Sequence, residues 1–207
     1  MQAFRQRLVD HLLVRLDPDS TADIDEPEFT AMDRHRVIIK KDQLNLHQFV
    51  RINYTTYDLR REQDTLKAGG TNCDIVMLAN EDDDTDGDNA HFPLWAARVI
   101  HVIHVDACLK TSQNERWAKP KRIDILYVRY FAIDDGTTPD RLPRFAFAET
   151  EGEDGNLAPI TGFVDPGRVL RGVHMIPSFR DGFRELPFPS ALLNRPEHLY
   201  RMYCMNV

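Results

Sequence analysis

The chain has 207 residues, 42% of them hydrophobic and 29% charged, a balance that suits a globular protein with a core of its own and excludes a disordered or fibrous one. Its formal net charge of -7 repels phosphate overall, so a nucleic-acid contact has to come from a local patch and autonomous DNA binding is disfavoured. Cys73, Cys108 and Cys204 are odd in number, widely spaced and without a C-x-x-C pair, which speaks against a disulfide framework or zinc knuckle and predicts a reducing compartment.

In chain order, Phe4, Leu8, Leu12 and Leu16 recur every four residues, and this predicts an amphipathic helix over 4–16. Asp17-Pro18-Asp19-Ser20 and the acidic run to Glu28 then break it, so 1–46 reads as a helix with a linker or arm. A β domain is expected over 47–180. It begins with a strand at 48–58, where Val50, Ile52 and Tyr54 share a face, followed by a polar stretch over 59–64 and a turn at Gly69-Gly70. Another strand is expected at 73–79 and a charged loop at 81–88.

The runs 94–105 and 123–131 are rich in Val, Ile and aromatic residues, which fit a pleated surface better than a helix. We read them as the paired central strands, apolar on both faces as in a barrel. A short strand follows at 144–147, and 149–156 reads as an acidic loop outside the core. Asp165-Pro166 predicts one helical turn, with Asp165 capping and Pro166 where its missing N–H is harmless. A closing strand is expected at 173–177, and the Pro-containing tail 181–207 has the composition to add one more.

No residue pattern identifies an enzyme. Ser20, Ser112, Ser178 and Ser190 stand outside any G-x-S-x-G setting, Gly69-Gly70 lacks a phosphate-loop pattern, and no cofactor is expected. His101, His104 and Cys108 are metal-ligand types, but alternation along a strand sends His101 and His104 to opposite faces, which favours structural histidines. Asp82, Asp84, Asp86 and Gly87 match the first half of a calcium loop, yet Pro93 stands where its bidentate Glu belongs. The run reads as a solvated acidic loop. Lys110, Arg116, Lys119, Lys121 and Arg122, with Trp117 among them, form a basic stretch for phosphates or an acidic partner.

Asn53-Tyr54-Thr55-Thr56-Tyr57-Asp58-Leu59-Arg60-Arg61-Glu62-Gln63-Asp64 resembles the N-Y-T-T-Y-D-x-R-R-x-Q-D segment of fungal Plavaka-type transposon proteins. The segments 74–78, 95–100, 126–131, 162–166 and 169–177 are similar to the same region, in the same order, over 48–177. That resemblance implies a C-terminal fragment or a decayed copy of a transposon-encoded protein. The pattern Ala97-Arg98-Val99, an insert, then Val128-Arg129-Tyr130-Phe131 more weakly resembles BAH (bromo-adjacent homology) domains. It implies a mainly β, BAH-like or SH3-like, partly open barrel with an N-terminal helix and a few short peripheral helices. The functional expectation is a non-enzymatic, intracellular, nuclear module for a histone tail or another chromatin protein, with no membrane association. Trp95, Tyr127 and Tyr130 are the residues expected to cage a methylated lysine. The alternatives are a DNA-contacting accessory of a transposase, using the basic stretch, and a relic without function.

Overall fold

A computed structural model describes residues 2–17, 29–79, 94–110, 119–134, 143–151, 157–184 and 199–206. The elements are α1 (Gln2–Leu16), α2 (Ala31–Arg36), β1 (Val37–Ile39), β2 (Asn45–His47), β3 (Phe49–Thr55), β4 (Arg61–Lys67), β5 (Asp74–Leu78), β6 (Leu94–Leu109) and β7 (Lys121–Ile133). After them come β8 (Arg144–Phe147), β9 (Glu149–Glu151), β10 (Leu157–Pro159), β11 (Thr161–Val164), β12 (Val169–Pro177), β13 (Phe183–Arg184), β14 (Leu199–Tyr200) and β15 (Tyr203–Asn206). The chain divides into two compact units, Met1–Leu46 with Ile103–Ile125, and His47–Val102 with Leu126–Val207.

In the first unit, α1 buries Leu8, Val9, Leu12 and Leu13, a stripe one residue wider than the four-residue spacing predicts. A capping box starts α2: the Thr30 hydroxyl accepts from the Asp33 N–H, and the Asp33 carboxylate accepts from the Thr30 N–H. The Thr30 hydroxyl also donates to that carboxylate at 2.6 Å, and this bond, with the one from the Thr30 N–H, holds the Asp33 carboxyl below its ordinary pKa. Arg34 grips the Asp10 carboxylate with two bonds, 2.6 and 2.9 Å, and so ties α2 to α1. β1 adds to the distal part of β6 in antiparallel register, Val37 opposite Leu109.

The second unit is a barrel. Antiparallel pairings run β6-β5-β12-β15-β8-β7, and β7 pairs with β6 again, so six strands close on themselves and leave no free edge in the ring. A mainly β, barrel-like architecture with one long N-terminal helix is thus what the chain adopts. Every strand of the ring contributes to one cluster: Val76, Ala96, Phe131, Phe145, Phe147, Val173, Met175, Tyr203 and Met205. The alternate residues of β5, β6 and β7, among them Ile75, Met77, Ala97, Val99, Leu126 and Val128, belong to a second cluster. Burial on both faces explains why the two central strands read as nearly continuous apolar runs. In β6, Val99 and Val102 lie three apart yet in the same cluster, so strict alternation fails between them.

The second cluster is covered by β3 and β4, a two-stranded ribbon that pairs with no other strand among the described residues. Ile52 and Leu66 enter the cluster from its inner face, and Val50 packs against it. The ribbon comes so close to β12 that a Cβ on Gly172 would meet Leu66 Cδ2 at 2.8 Å. The Gly172 N–H donates to the Asp64 carboxylate at 2.9 Å. Here the structure corrects the polar reading of 59–64: β4 is a strand whose apolar content is one inward Leu66, too little for alternation to register in the sequence. At the ribbon's tip, Leu59 takes a left-handed φ of 63°, an unfavourable conformation for a branched side chain. Its N–H donates to the Thr56 carbonyl at 2.9 Å, and the Thr56 N–H donates to the Arg60 carbonyl at 2.9 Å.

The predicted turn at 165–168 is present, a 3-10 turn in which Asp165 caps the Gly167 N–H at 2.9 Å. Glu149 belongs to β9 rather than to a loop, and its carboxylate meets Arg129 at 3.2 Å with both side chains largely buried. The acidic residues 81–88 and the linker residues 18–28 lie outside the described part of the chain.

Candidate functional site

Of the three aromatics expected to act together, the structure joins two. Trp95, 40% exposed at the start of β6, meets Tyr130 edge to face, with ring centroids 6.0 Å apart and planes at 75°. Gly162 of β11 backs the Tyr130 ring, since a Cβ there would lie 2.7 Å from it. Tyr127 belongs elsewhere. Leu126 and Val128 share a cluster, and Tyr130 packs against it, so alternation turns Tyr127 to the opposite face of β7. There it is buried, stacked on His101 at 6.3 Å and tilted on Phe163 at 5.2 Å, with its hydroxyl 3.1 Å from Thr161 Oγ1. A cage of Trp95, Tyr127 and Tyr130 is therefore not assembled; the three-residue spacing along a strand forbids it.

His101 takes part in this stack, and burial pushes its pKa down. Among the described residues no cluster of three or more His, Cys, Asp or Glu side chains has the geometry to hold a metal ion. Lys110 at the end of β6 and Lys119, Lys121 and Arg122 around the start of β7 are all exposed. Arg122 pairs with Asp124 at 2.9 Å, and the Lys110 N–H donates to the Arg36 carbonyl at 2.7 Å. Arg116 and Trp117 lie outside the described residues.

The structure also assembles a cation box that sequence reasoning missed. Asp74 and Arg98 stand opposite each other in the β5–β6 register, and the guanidinium grips the carboxylate at 2.7 and 3.0 Å. Three rings surround the guanidinium, Phe147 at 5.2 Å, Tyr203 at 5.4 Å and Phe131 at 5.6 Å. Burial disfavours the Arg98 charge, but the hydrogen bonds and charge of Asp74 outweigh it and leave the arginine's pKa raised. Tyr203, desolvated in the same place, has its phenol pushed up. Chemically this is an aromatic box for a cation, and the chain's own arginine fills it. The sequence signal was the Asp74–Arg98 pair on adjacent strands, legible only once the register is known.

The ribbon carries the other polar constellation. The Tyr54 hydroxyl donates to Glu62 at 2.9 Å, which raises the phenol's pKa, and Gln63 Nε2 donates to Asn53 Oδ1 at 2.7 Å. Asn53, Tyr54, Thr55, Arg61, Glu62 and Gln63 line a shallow depression of about 410 Å³ along this end of the ribbon. Comparison of the chain with family models, with curated proteins and with solved structures finds no match.

Proposed function

We propose that the protein is a non-enzymatic recognition module for a protein partner, a chromatin component such as a histone tail, as the resemblance to transposon-encoded and BAH proteins implies. The observation that supports this reading is the Trp95–Tyr130 corner: a half-open indole set nearly perpendicular to a phenol ring held in place by Gly162. Two ring faces at that angle attract an alkylated ammonium by roughly 0.5–2 kcal/mol per good contact. A nuclear location goes with the same reading.

Titration with unmodified and lysine-methylated histone-tail peptides tests it, following Trp95 fluorescence in a Trp117→Phe background. The expected result is a saturable, methylation-dependent change that Tyr130→Ala abolishes and Tyr127→Phe leaves intact. A folded sample that gives no response to any peptide refutes it.

A DNA-contacting accessory role is the second reading, and the joint exposure of Lys110, Lys119, Lys121 and Arg122 supports it. Salt-dependent duplex binding lost on neutralising Lys119, Lys121 and Arg122 together is the expected signature.

A further inference from the structure

We propose that the outward face of the β3–β4 ribbon is a second binding surface, one that enters the major groove of duplex DNA. This goes beyond the aromatic corner and beyond the basic stretch, and it does not depend on either.

Facing pairs in the ribbon are Arg51 with Thr65, Asn53 with Gln63 and Thr55 with Arg61. All six side chains fall on the face opposite Ile52 and Leu66, and all six are exposed. Lys67 extends that face by one more pair, lying over the Phe49 ring at 6.0 Å. The face carries three cations and no carboxylate.

The ribbon's own acids are hydrogen-bonded or ion-paired, although Glu62 lines the same depression as Asn53, Thr55, Arg61 and Gln63. Glu62 and Asp64 alternate onto the other side, where Glu62 accepts from Tyr54 and Asp64 from the Gly172 N–H. Asp58, in the tip, pairs with Arg60 at 2.9 Å. In a chain of net charge -7, a face of cations, amides, hydroxyls and one ring without a carboxylate is a segregation of charge that packing does not require. Phosphates are the complement it fits.

Shape narrows the class to a duplex. The cations lie between the Phe49–Lys67 pair and the Thr55–Arg61 pair, roughly 20 Å at about 3.4 Å per strand residue. That spans about six base-pair steps of roughly 3.4 Å. A two-stranded ribbon fits a major groove about 12 Å wide, and Arg, Asn, Gln and Thr are the side chains that bond base edges there. With Gln63 Nε2 committed to Asn53 Oδ1, Asn53 Nδ2 and Gln63 Oε1 remain outside this bond as one donor group and one acceptor. That pairing complements the N7 acceptor and N6 donor of adenine.

The test uses the full chain and fluorescently labelled duplexes, read by anisotropy at 50 and 200 mM salt. We expect saturable binding at 50 mM that weakens at least about tenfold in the Arg51→Gln/Arg61→Gln double variant, with the slope of log K on log salt falling by about two. Selection from a randomised duplex library is expected to enrich an adenine-containing site for the native chain, and no site for Asn53→Ala/Gln63→Ala. Both double variants change exposed positions only, so their thermal melts and Trp95 fluorescence should match the native protein. No duplex binding at 50 mM salt overturns the proposal. So does binding that is lost with Lys119→Gln/Lys121→Gln but not with the ribbon variants, and so does capture of polyglutamate where duplex fails. None of these outcomes touches the methyl-peptide titration, so this proposal and the recognition reading fail separately.

Discussion

Arg98 and the Arg51–Arg61 pair belong to the same β unit and to the same residue class, yet they are handled in opposite ways. Arg98 is enclosed: its side chain is 18% exposed, its carboxylate partner Asp74 2%, and three rings cover the guanidinium. Arg51 and Arg61 are exposed on a face without acids. A charge withdrawn from water must be matched in full by the fold, and it then has little left to offer a ligand. A charge left in water, with its neighbouring carboxylates engaged elsewhere, costs the fold almost nothing and stays available. The box, although it looks more like a recognition cage, therefore serves stability, while the ribbon's face keeps its charges accessible.

The sharpest way to break that contrast is to remove one partner from each place. Asp74→Ala leaves a buried guanidinium uncompensated and is expected to cost roughly 3–5 kcal/mol in urea denaturation. Arg51→Gln or Arg61→Gln should stay within about 0.5 kcal/mol of the native protein, as exposed substitutions do. Replacing the pair together, Asp74→Val with Arg98→Met, should restore much of the loss, because no unpaired charge remains inside. A double replacement as damaging as the single one would show that the box needs its charges for more than mutual neutralisation.

Leu66→Ala comes next. Leu66 is fully buried and joins the ribbon to the cluster that also holds Ile75, Val99 and Val128. Truncation is expected to cost about 2–5 kcal/mol, and hydrogen exchange should speed up in β3 and β4 before it does in β6. Uniform exchange loss across the barrel would mean that ribbon and barrel unfold as one. Gly162→Ala is smaller. The added methyl meets the Tyr130 ring, so about 1–3 kcal/mol and a shift in Trp95 emission are expected, since the two rings are in contact.

How much of this was legible in the sequence depends on which interaction carried the information. The helix 4–16, the central strands and the Asp165 turn were readable because a local period, a β-branched and aromatic composition, and a cap respectively specify them. The β4 strand was not. Its inner face has the single apolar residue Leu66, and its outer face is as polar as a loop. The trio Trp95, Tyr127 and Tyr130 was legible as aromatics but not as a site, because the alternation that placed His101 and His104 apart applies equally to Tyr127 and Tyr130. The Arg98 box draws on β5, β6, β7, β8 and β15, and no local pattern encodes a register among five strands.

The smallest expected effect concerns His101, whose pKa burial pushes down. Stacked on Tyr127, the folded protein resists a proton that the unfolded chain accepts near the ordinary value of 6.5. Below that value the unfolded state therefore binds more protons, and stability must fall as pH drops, until His101 titrates in the folded protein as well. Above it both states are neutral and the contribution is flat. Urea midpoints between pH 7.5 and 5.5 should decline in the native chain and decline less in His101→Phe, which keeps a ring against Tyr127 but cannot take the proton. Equal slopes in the two proteins would mean that the stack admits a charged imidazole, and that this face of β7 is wetter than its burial indicates.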